Sequence, residues 1–444
     1  MWSDTTTLYS TVFADNNGEK GELKAQGIIH VHLTDFVKQM TTMKALHADT
    51  ATEKLKALYS FGKYFAGNLY DTYGGILAKA SVFNPTAPPR KKRPLRAPEP
   101  QIYPVKTSDG VNLLLTRYDG RDREDLEDGI NKGSVMLAHG FSVSGLIFEI
   151  DTPDTNLVEY LCAHGYDVWV MEYRTSIALP SAKDQCTADD IAMKDFPACV
   201  DKILKITGEK DIQLFTHCVG AITGVMAMLG GLKGVRSMVC FQVAADIIGG
   251  EQIKLKAAAH VPTLLKKFGI ETMSAYTDVN AGWLDKALNT AVKAYSAVLG
   301  SDTNDPIANR VTFMFSTLYE KENIDEKTFD SFHEMFGVTN LTTYEQLTLM
   351  SREKELRNAE GEDVYLPHAK DRLNIPMCFV HGEKNEVFVP EATERTYNRL
   401  KALNPEQHYE RHVIEGYGHQ DCVIGKNADR DVWHHVVAFL DKNN

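Results

Sequence analysis

The most ordered hydrophobic pattern in the chain runs from residue 103 to 241 and resumes at 376. Ser134-Val-Met-Leu-Ala138, Asp167-Val-Trp-Val-Met171, Asp211-Ile-Gln-Leu-Phe215, Val235-Arg-Ser-Met-Val-Cys-Phe241, Pro376-Met-Cys-Phe-Val380 and Gln407–Ile414 read as apolar strands. Between them, Leu157–His164, Asp189–Thr207, Ala221–Leu229 and Val432–Leu440 carry helical spacing, and Gly165 and Gly208 stop the first two. Tyr103–Lys106 and Val111–Tyr118 flank Ser108-Asp109-Gly110, which signals a hairpin. Solid apolar strands alternating with helices predict an α/β fold. Its sheet is mostly parallel, doubly wound and covered on both faces.

Outside that region the pattern changes. Residues 1–83 read as an N-terminal β/α extension. Thr5–Phe13 and Ile28–Leu33 are β-rich, a short helix follows near Asp35–Leu46, and 51–70 is an amphipathic helix with Leu55, Leu58, Phe61, Phe65 and Leu69 on one stripe. The extension is expected either to cap the main domain or to be the tail of a larger β-domain upstream. Residues 84–100 hold the run Arg90-Lys-Lys-Arg-Pro-Leu-Arg96 among prolines, expected to be a solvated linker. The core then divides into 101–245 and 371–444. Between them, 246–370 reads as a helical cap rich in Met273, Tyr276, Trp283, Tyr295, Phe313, Phe315, Phe332, Met335 and Phe336. Some of these are expected to line an acyl or ring-shaped pocket, and at least half to form the cap's own core.

Composition narrows the function classes. A net charge of −12 disfavours nucleic acid as a partner, because phosphate binding needs a basic face. The seven cysteines show no CxxC pair, so neither a zinc site nor a disulfide framework is expected. No G-x-G-x-x-G follows an N-terminal strand, so no flavin site or other cofactor is expected. The longest apolar stretch, Gly220–Leu232, is too short to span a bilayer. Met1-Trp-Ser-Asp4 does not open a secretory signal, and the expectation is a cytoplasmic protein.

The chemistry concentrates at Thr216-His-Cys-Val-Gly220, on a strand-to-helix turn. Such a turn lifts a nucleophile above the sheet, here the sulfur of Cys218, and aims the next N–H at a developing oxyanion. Val219 and Phe141 (in His139-Gly-Phe141) are the candidate oxyanion donors. His217 reads as structural support. His419, in the loop Gly416-Tyr-Gly-His-Gln-Asp-Cys422 after the last strand, is the candidate base. Nucleophile, acid position and histidine then follow hydrolase order. The acid position itself holds Asn385, within Gly382-Glu-Lys-Asn-Glu-Val-Phe-Val-Pro390. An amide in that place suits a cysteine better than a serine. A thiolate–imidazolium pair needs its third residue mainly to orient the ring, as in Cys-His-Asn proteases. Glu386 and Asp246 are fallback acids.

Tyr103-Pro-Val-Lys-Thr-Ser-Asp-Gly110, His139-Gly-Phe141 and His164-Gly-Tyr-Asp-Val-Trp169 resemble the acid lipases of the α/β-hydrolase superfamily. The chain from Thr5 to Leu440 is more closely similar to the C-terminal hydrolase part of bacterial cholesterol oxidase-like fusion proteins. In those, a glucose-methanol-choline oxidoreductase domain comes first. The matching pieces include Ser3-Asp-Thr-Thr-Thr-Leu8, Asp35-Phe-Val-Lys-Gln-Met-Thr-Thr-Met43, His217-Cys-Val-Gly-Ala221 and Gly416–Cys422. The elbow cysteine also resembles that of polyhydroxyalkanoate synthases, which keep an aspartate where this chain has Asn385. The resemblance implies an acyl-ester or thioester hydrolase or acyltransferase on a lipid-like small molecule, working through a thioacyl-enzyme. The alternative is a non-catalytic hydrolase shell that partners a separately encoded oxidoreductase.

Overall fold

The structure is a computed structural model. It describes residues 82–122, 132–267, 269–298 and 303–444, together with the backbone of two strands before them. The chain divides into two compact units, Met1–Ala78 and Lys79–Asn444. In the first, β1 (Leu8–Val12) and β2 (Ala25–Ile29) pair antiparallel, with Leu8 opposite Ile29. The second strand therefore starts earlier than Ile28. The helices expected at Asp35–Leu46 and 51–70 lie outside the described residues.

The second unit is built on an eight-stranded sheet. Its strands are β3 (Gln101–Lys106), β4 (Asn112–Asp119), β5 (Ser134–Ala138), β6 (Asp167–Glu172), β7 (Ile212–His217) and β8 (Val235–Phe241). The insertion holds a separate antiparallel pair, β9 (Thr272–Ser274) and β10 (Val338–Asn340). β11 (Met377–Gly382) and β12 (Tyr409–Ile414) complete the large sheet. Its order is β12-β11-β8-β7-β5-β6-β4-β3, parallel from β12 to β6, with β4 and β3 antiparallel at one edge. Every residue of β5, β6, β7 and β11 is buried, as the unbroken apolar runs require.

Parallel register brings the carboxyl ends of five strands together. Ala138 lies opposite Thr216, His217 opposite Phe241, Val380 opposite Phe241, and Gly382 opposite Ile414. The segments that follow these ends hold His139, Cys218, Gln242, Asn385 and His419. Chemistry-bearing residues far apart in sequence thus meet at one edge of the sheet, where open α/β sheets bind ligands.

Helices cover the sheet. α1 (Leu157–Ala163) is opened by a capping box between Asn156 and Glu159. α2 (Phe196–Thr207) and the central α3 (Val219–Gly230) follow, and α3 is buried from Val219 to Leu229. The insertion contributes α4 (Glu251–Ala258), α5 (Trp283–Val298), α6 (Pro306–Phe315) and α7 (Leu341–Glu353). α8 (Glu391–Leu403) and α9 (Trp433–Lys442) close the fold. Among the described residues no helix is long and apolar enough to cross a membrane.

The basic run is solvated only in part: Lys91, Lys92 and Arg96 are exposed, while Arg90 and Arg93 turn inward. Arg90 bonds Asp151 at 2.8 Å and Glu334 at 2.6 Å, and Arg93 bonds Glu159 at 2.9 Å. Asp151 and Glu159 are buried, and Glu159 also accepts the Arg96 and Asn156 backbone N–H groups. The Arg-Pro pattern is a strap held by carboxylates 61, 66 and 244 residues away, so local composition could not reveal its partners. Glu159→Ala removes the carboxylate partner of Arg93 and leaves two backbone donors unpaired. It is expected to lower stability by about 3 kcal/mol, read as a shift in the urea midpoint at constant slope.

Candidate active site

β7 ends at His217 and α3 begins at Val219, so Cys218 alone makes the turn, with φ 58° and ψ −123°. A side chain in that region costs about 1–3 kcal/mol, and the surroundings must hold it there. They do. Cys218 N–H donates to Phe241 O at 3.2 Å, and its own carbonyl accepts from Ala221 and Ile222 at 2.9 and 3.1 Å. Gly220 lets α3 start against β5, because a methyl there would lie 2.6 Å from Ala138 O.

Burial pushes the Cys218 thiol up to about 12, while the backbone N–H groups of Val219 and Phe141 face the sulfur and favour its anion. The two donors expected from sequence thus converge on the nucleophile. The loop carrying Phe141 is braced from below. Tyr173 donates its hydroxyl to the carbonyls of His139 and Gly140 and stacks on the His139 ring, 4.2 Å between centroids. Glu172 accepts from Gly145 N–H at 3.0 Å. Neither Glu172 nor Tyr173 stands out in the sequence, since both read as ordinary residues at a strand end.

His419 is buried, and its Nδ1 lies 3.1 Å from Asn385 Nδ2. The direction of this contact is fixed by neighbours. Asn385 Oδ1 accepts the N–H groups of Val387 and Phe388 at 2.9 and 3.1 Å. Its amide nitrogen also donates to Gln242 Oε1 at 2.9 Å, an oxygen that accepts from Gly382 N–H as well. Gln242 Nε2 in turn donates to His419 O at 2.9 Å. Turning the Asn385 amide over would set NH2 against two backbone donors and oxygen against oxygen, at about 1–3 kcal/mol for each group left unpaired. Asn385 therefore donates to His419, Nδ1 carries the lone pair, and the ring hydrogen sits on Nε2.

This corrects the expectation for the acid position. Asn385 does meet His419, but with a donor, whereas a ring-orienting partner for a base must accept. Burial, then His217 and His381, hold His419 well below its ordinary value. Its neutral form is favoured, and the resting pair is thiol and imidazole. The expected thiolate–imidazolium pair has no partner to stabilise it, and no hydrogen bond joins Cys218 to His419 among the described residues. The fallback acids are elsewhere. Asp246 is engaged by Thr396 and Arg399, both at 2.8 Å. Glu386 is exposed and touches Ser316 Oγ at 3.4 Å. The residue that sequence reasoning missed is Gln242, buried at a positive φ of 76° just past β8.

Cys218, His419, His217, Gln420, Phe141 and Val219 open on one cavity of about 720 Å³, counting its part open to solvent. The insertion supplies most of its apolar wall through Phe315, Leu318, Phe336, Tyr344 and Leu347. Other bulky residues of the insertion behave differently. Phe332 and Met335 are core, and Trp283 is 77% exposed. Lys256 is the one Lys or Arg on this wall, and its ammonium donates to Phe313 O at 2.6 Å. The remaining cysteines are buried. Cys422, close to His419 in sequence, donates to Gly418 O at 3.4 Å. Away from the cavity, Cys378, Glu410 and His412 place three ligand-type atoms within 4.8 Å of one another. Lys442 Nζ already sits 3.1 Å from Glu410 Oε1 there.

No family model matches the chain. Over 366 residues it is 24% identical to gastric triacylglycerol lipase of Rattus norvegicus, covering 77% of this chain and 88% of that one. It is 25% identical over 287 residues to the poly(3-hydroxyalkanoate) polymerase subunit PhaC of Haloferax mediterranei, 63% of this chain but only 53% of that one. A soluble variant of monoglyceride lipase from Saccharomyces cerevisiae, solved with a substrate analog, superposes with a TM-score of 0.50 at 14% identity. That match covers 81% of this chain and 99% of the other. The mostly parallel sheet and the strand–turn–helix elbow give this chain an α/β-hydrolase fold.

The raised thiol has a direct consequence. Alkylation of Cys218 by iodoacetamide is expected to run ~100-fold or more below that of a free thiol at pH 7.5 and to keep rising past pH 10, followed by peptide mass. A plateau near neutral pH would instead report a thiolate–imidazolium pair.

Proposed function

We propose that this protein cleaves or transfers acyl groups from esters or thioesters of lipid-like compounds, with Cys218 as the nucleophile. The observation that carries the reading is the strained elbow. It presents one sulfur to two backbone N–H groups at the base of an apolar cavity. Similarity to lipases supports the ester class, and similarity to a hydroxyalkanoate polymerase subunit supports transfer beside hydrolysis.

In the proposed reaction, Sγ attacks the acyl carbonyl and an S–C bond forms. The oxyanion settles between the N–H groups of Val219 and Phe141, which act at the wall of an apolar cavity. Because the thiol is held near 12, its proton leaves to an imidazole during attack rather than before it. The C–O or C–S bond to the leaving group then breaks, the leaving atom takes that proton, and a thioacyl-enzyme remains. Water or an alcohol resolves it. The cavity wall favours an aliphatic or ring-shaped acyl group over a sugar or peptide.

A second reading draws on the same network. With a donor at Asn385, His419 lacks the partner of an ordinary base, so the shell binds acyl esters without turnover. The two are separated by chromogenic esters of increasing chain length, read with intact mass. The catalytic reading expects a thioacyl adduct on Cys218, turnover that rises with chain length, and loss of both by ~10³-fold or more in Cys218→Ala. Saturable ester binding with neither adduct nor turnover in folded protein supports the second.

A further inference from the structure

Away from the cavity, one edge of the sheet gathers a thiol, a carboxylate and two imidazoles. Parallel register sets Cys378 of β11 opposite Glu410 of β12. Alternation along the strand puts Glu410 and His412 on one side of it, and His408, directly before β12, on the same side. Cys378 Sγ, a Glu410 carboxylate oxygen and a His412 ring nitrogen lie within 4.8 Å of one another. His408 Nε2 lies 2.5 Å from Glu410 Oε1, and His412 Nε2 lies 3.5 Å from Glu410 Oε2. Helix α9 braces both rings. His435 stacks on His412 with 4.2 Å between centroids, and the Phe439 ring lies 5.6 Å from that of His408.

Hydrogen bonds alone do not satisfy this cluster. Lys442 Nζ lies 2.9 Å from His408 Nε2 and 3.1 Å from Glu410 Oε1. An ammonium only donates, and an ionised carboxylate only accepts. With a lone pair on Nε2, the ring meets Glu410 Oε1 acceptor to acceptor. With hydrogen on Nε2, the ring meets the ammonium donor to donor. Either form of the ring leaves one contact of like polarity. A cation without hydrogens resolves it, because the imidazole nitrogen and the carboxylate oxygen can both turn lone pairs toward it.

We propose that Cys378, His408, Glu410 and His412 bind one divalent transition-metal ion, with zinc the best fit. One sulfur, two imidazole nitrogens and one carboxylate oxygen suit zinc, whereas calcium and magnesium take oxygen ligands. The thiolate and the carboxylate together cancel the charge of the ion, so no net charge is buried. Ligand atoms around a tetrahedral zinc lie about 3.3–3.6 Å apart, so His408 and Glu410 separate and the thiol draws in, each by about 1 Å. On binding, Cys378 Sγ gives its proton to solvent and the ion takes the place of the Lys442 ammonium. Lys442 is 60% exposed and swings out into water. The ion joins β11 to β12 and, through rings packed on α9, ties the last helix to the sheet edge. No cysteine spacing announces such a site, because its thiol comes from a neighbouring strand. The site stands apart from Cys218 and does not depend on the chemistry proposed there.

The test titrates the chelator-treated full chain with zinc by calorimetry and with cobalt by visible absorption. One equivalent of zinc is expected to bind with a Kd of about 1 μM or below and to raise Tm by a few degrees. Cobalt is expected to give the intense visible bands of a tetrahedral site and a thiolate-to-metal band that Cys378→Ser removes. Glu410→Gln is expected to weaken zinc binding by ~100-fold or more. Lys442→Gln is expected to tighten it by about two- to fivefold, the factor that an exposed ion pair supplies. Where Cys378→Ser fails to fold, His412→Gln at unchanged Tm stands in, with the same loss of affinity as Glu410→Gln. Cys218→Ala is expected to bind zinc as the wild type does, and loss of binding there would put the ion at the cavity and overturn the inference. It is also overturned if the wild type takes up zinc no more tightly than Glu410→Gln, or if bound cobalt is octahedral without a thiolate band.

Discussion

A single side-chain amide sets the electrostatic character of this site. Asn385 gives its oxygen to two backbone N–H groups and its nitrogen to Gln242 and His419. Both ends are occupied by partners of one polarity, so the amide has one orientation. That orientation decides which nitrogen of His419 bears hydrogen. The substitution is not a lone lapse from a carboxylate pattern. Gln242 Oε1 takes the N–H of Gly382 and needs a second donor, which a carboxylate at position 385 would not give. The two amides fit each other, and the network is complete as it stands.

The rest of the site accommodates that neutrality. Among the described residues no carboxylate is aimed at the histidine, so an imidazolium there would be buried unpaired, a costly state. The sulfur is likewise protonated at rest. In the proposed reaction, transition-state stabilisation falls to groups that need no net charge, the backbone N–H groups of Val219 and Phe141 and the hydrogen on His419 Nε2. In an apolar, capped cavity such dipoles act with little screening. The strained turn at Cys218 holds the sulfur against them, and the braced loop under Phe141 holds the second donor in place.

Much of this was legible in the sequence where the chemistry is local. The unbroken apolar runs fix the parallel sheet, and the turn at Thr216–Gly220 follows from strand, nucleophile and helix in succession. Val219 is the next residue, and His139-Gly-Phe141 marks the second donor because it follows a buried strand. What depends on distant partners was not legible. Gln242 is 143 positions from Asn385, and nothing near either residue announces the contact. The sense of the Asn385–His419 contact is set by backbone donors at Val387 and Phe388, which residue type does not encode. Arg90 and Arg93 read as solvated because Asp151, Glu159 and Glu334 come to them only through folding. The aromatics of the insertion split between wall, core and surface according to helix faces that composition alone does not resolve.

The tautomer and charge of His419 test the account most directly. Nitrogen-15 and carbon-13 shifts of the labelled ring, followed from pH 8 down to the ordinary histidine value of 6.5, report both at once. The account requires a ring still neutral at that value, with hydrogen on Nε2 and a lone pair at Nδ1. A ring carrying hydrogen on Nδ1, or one already imidazolium there, would contradict it.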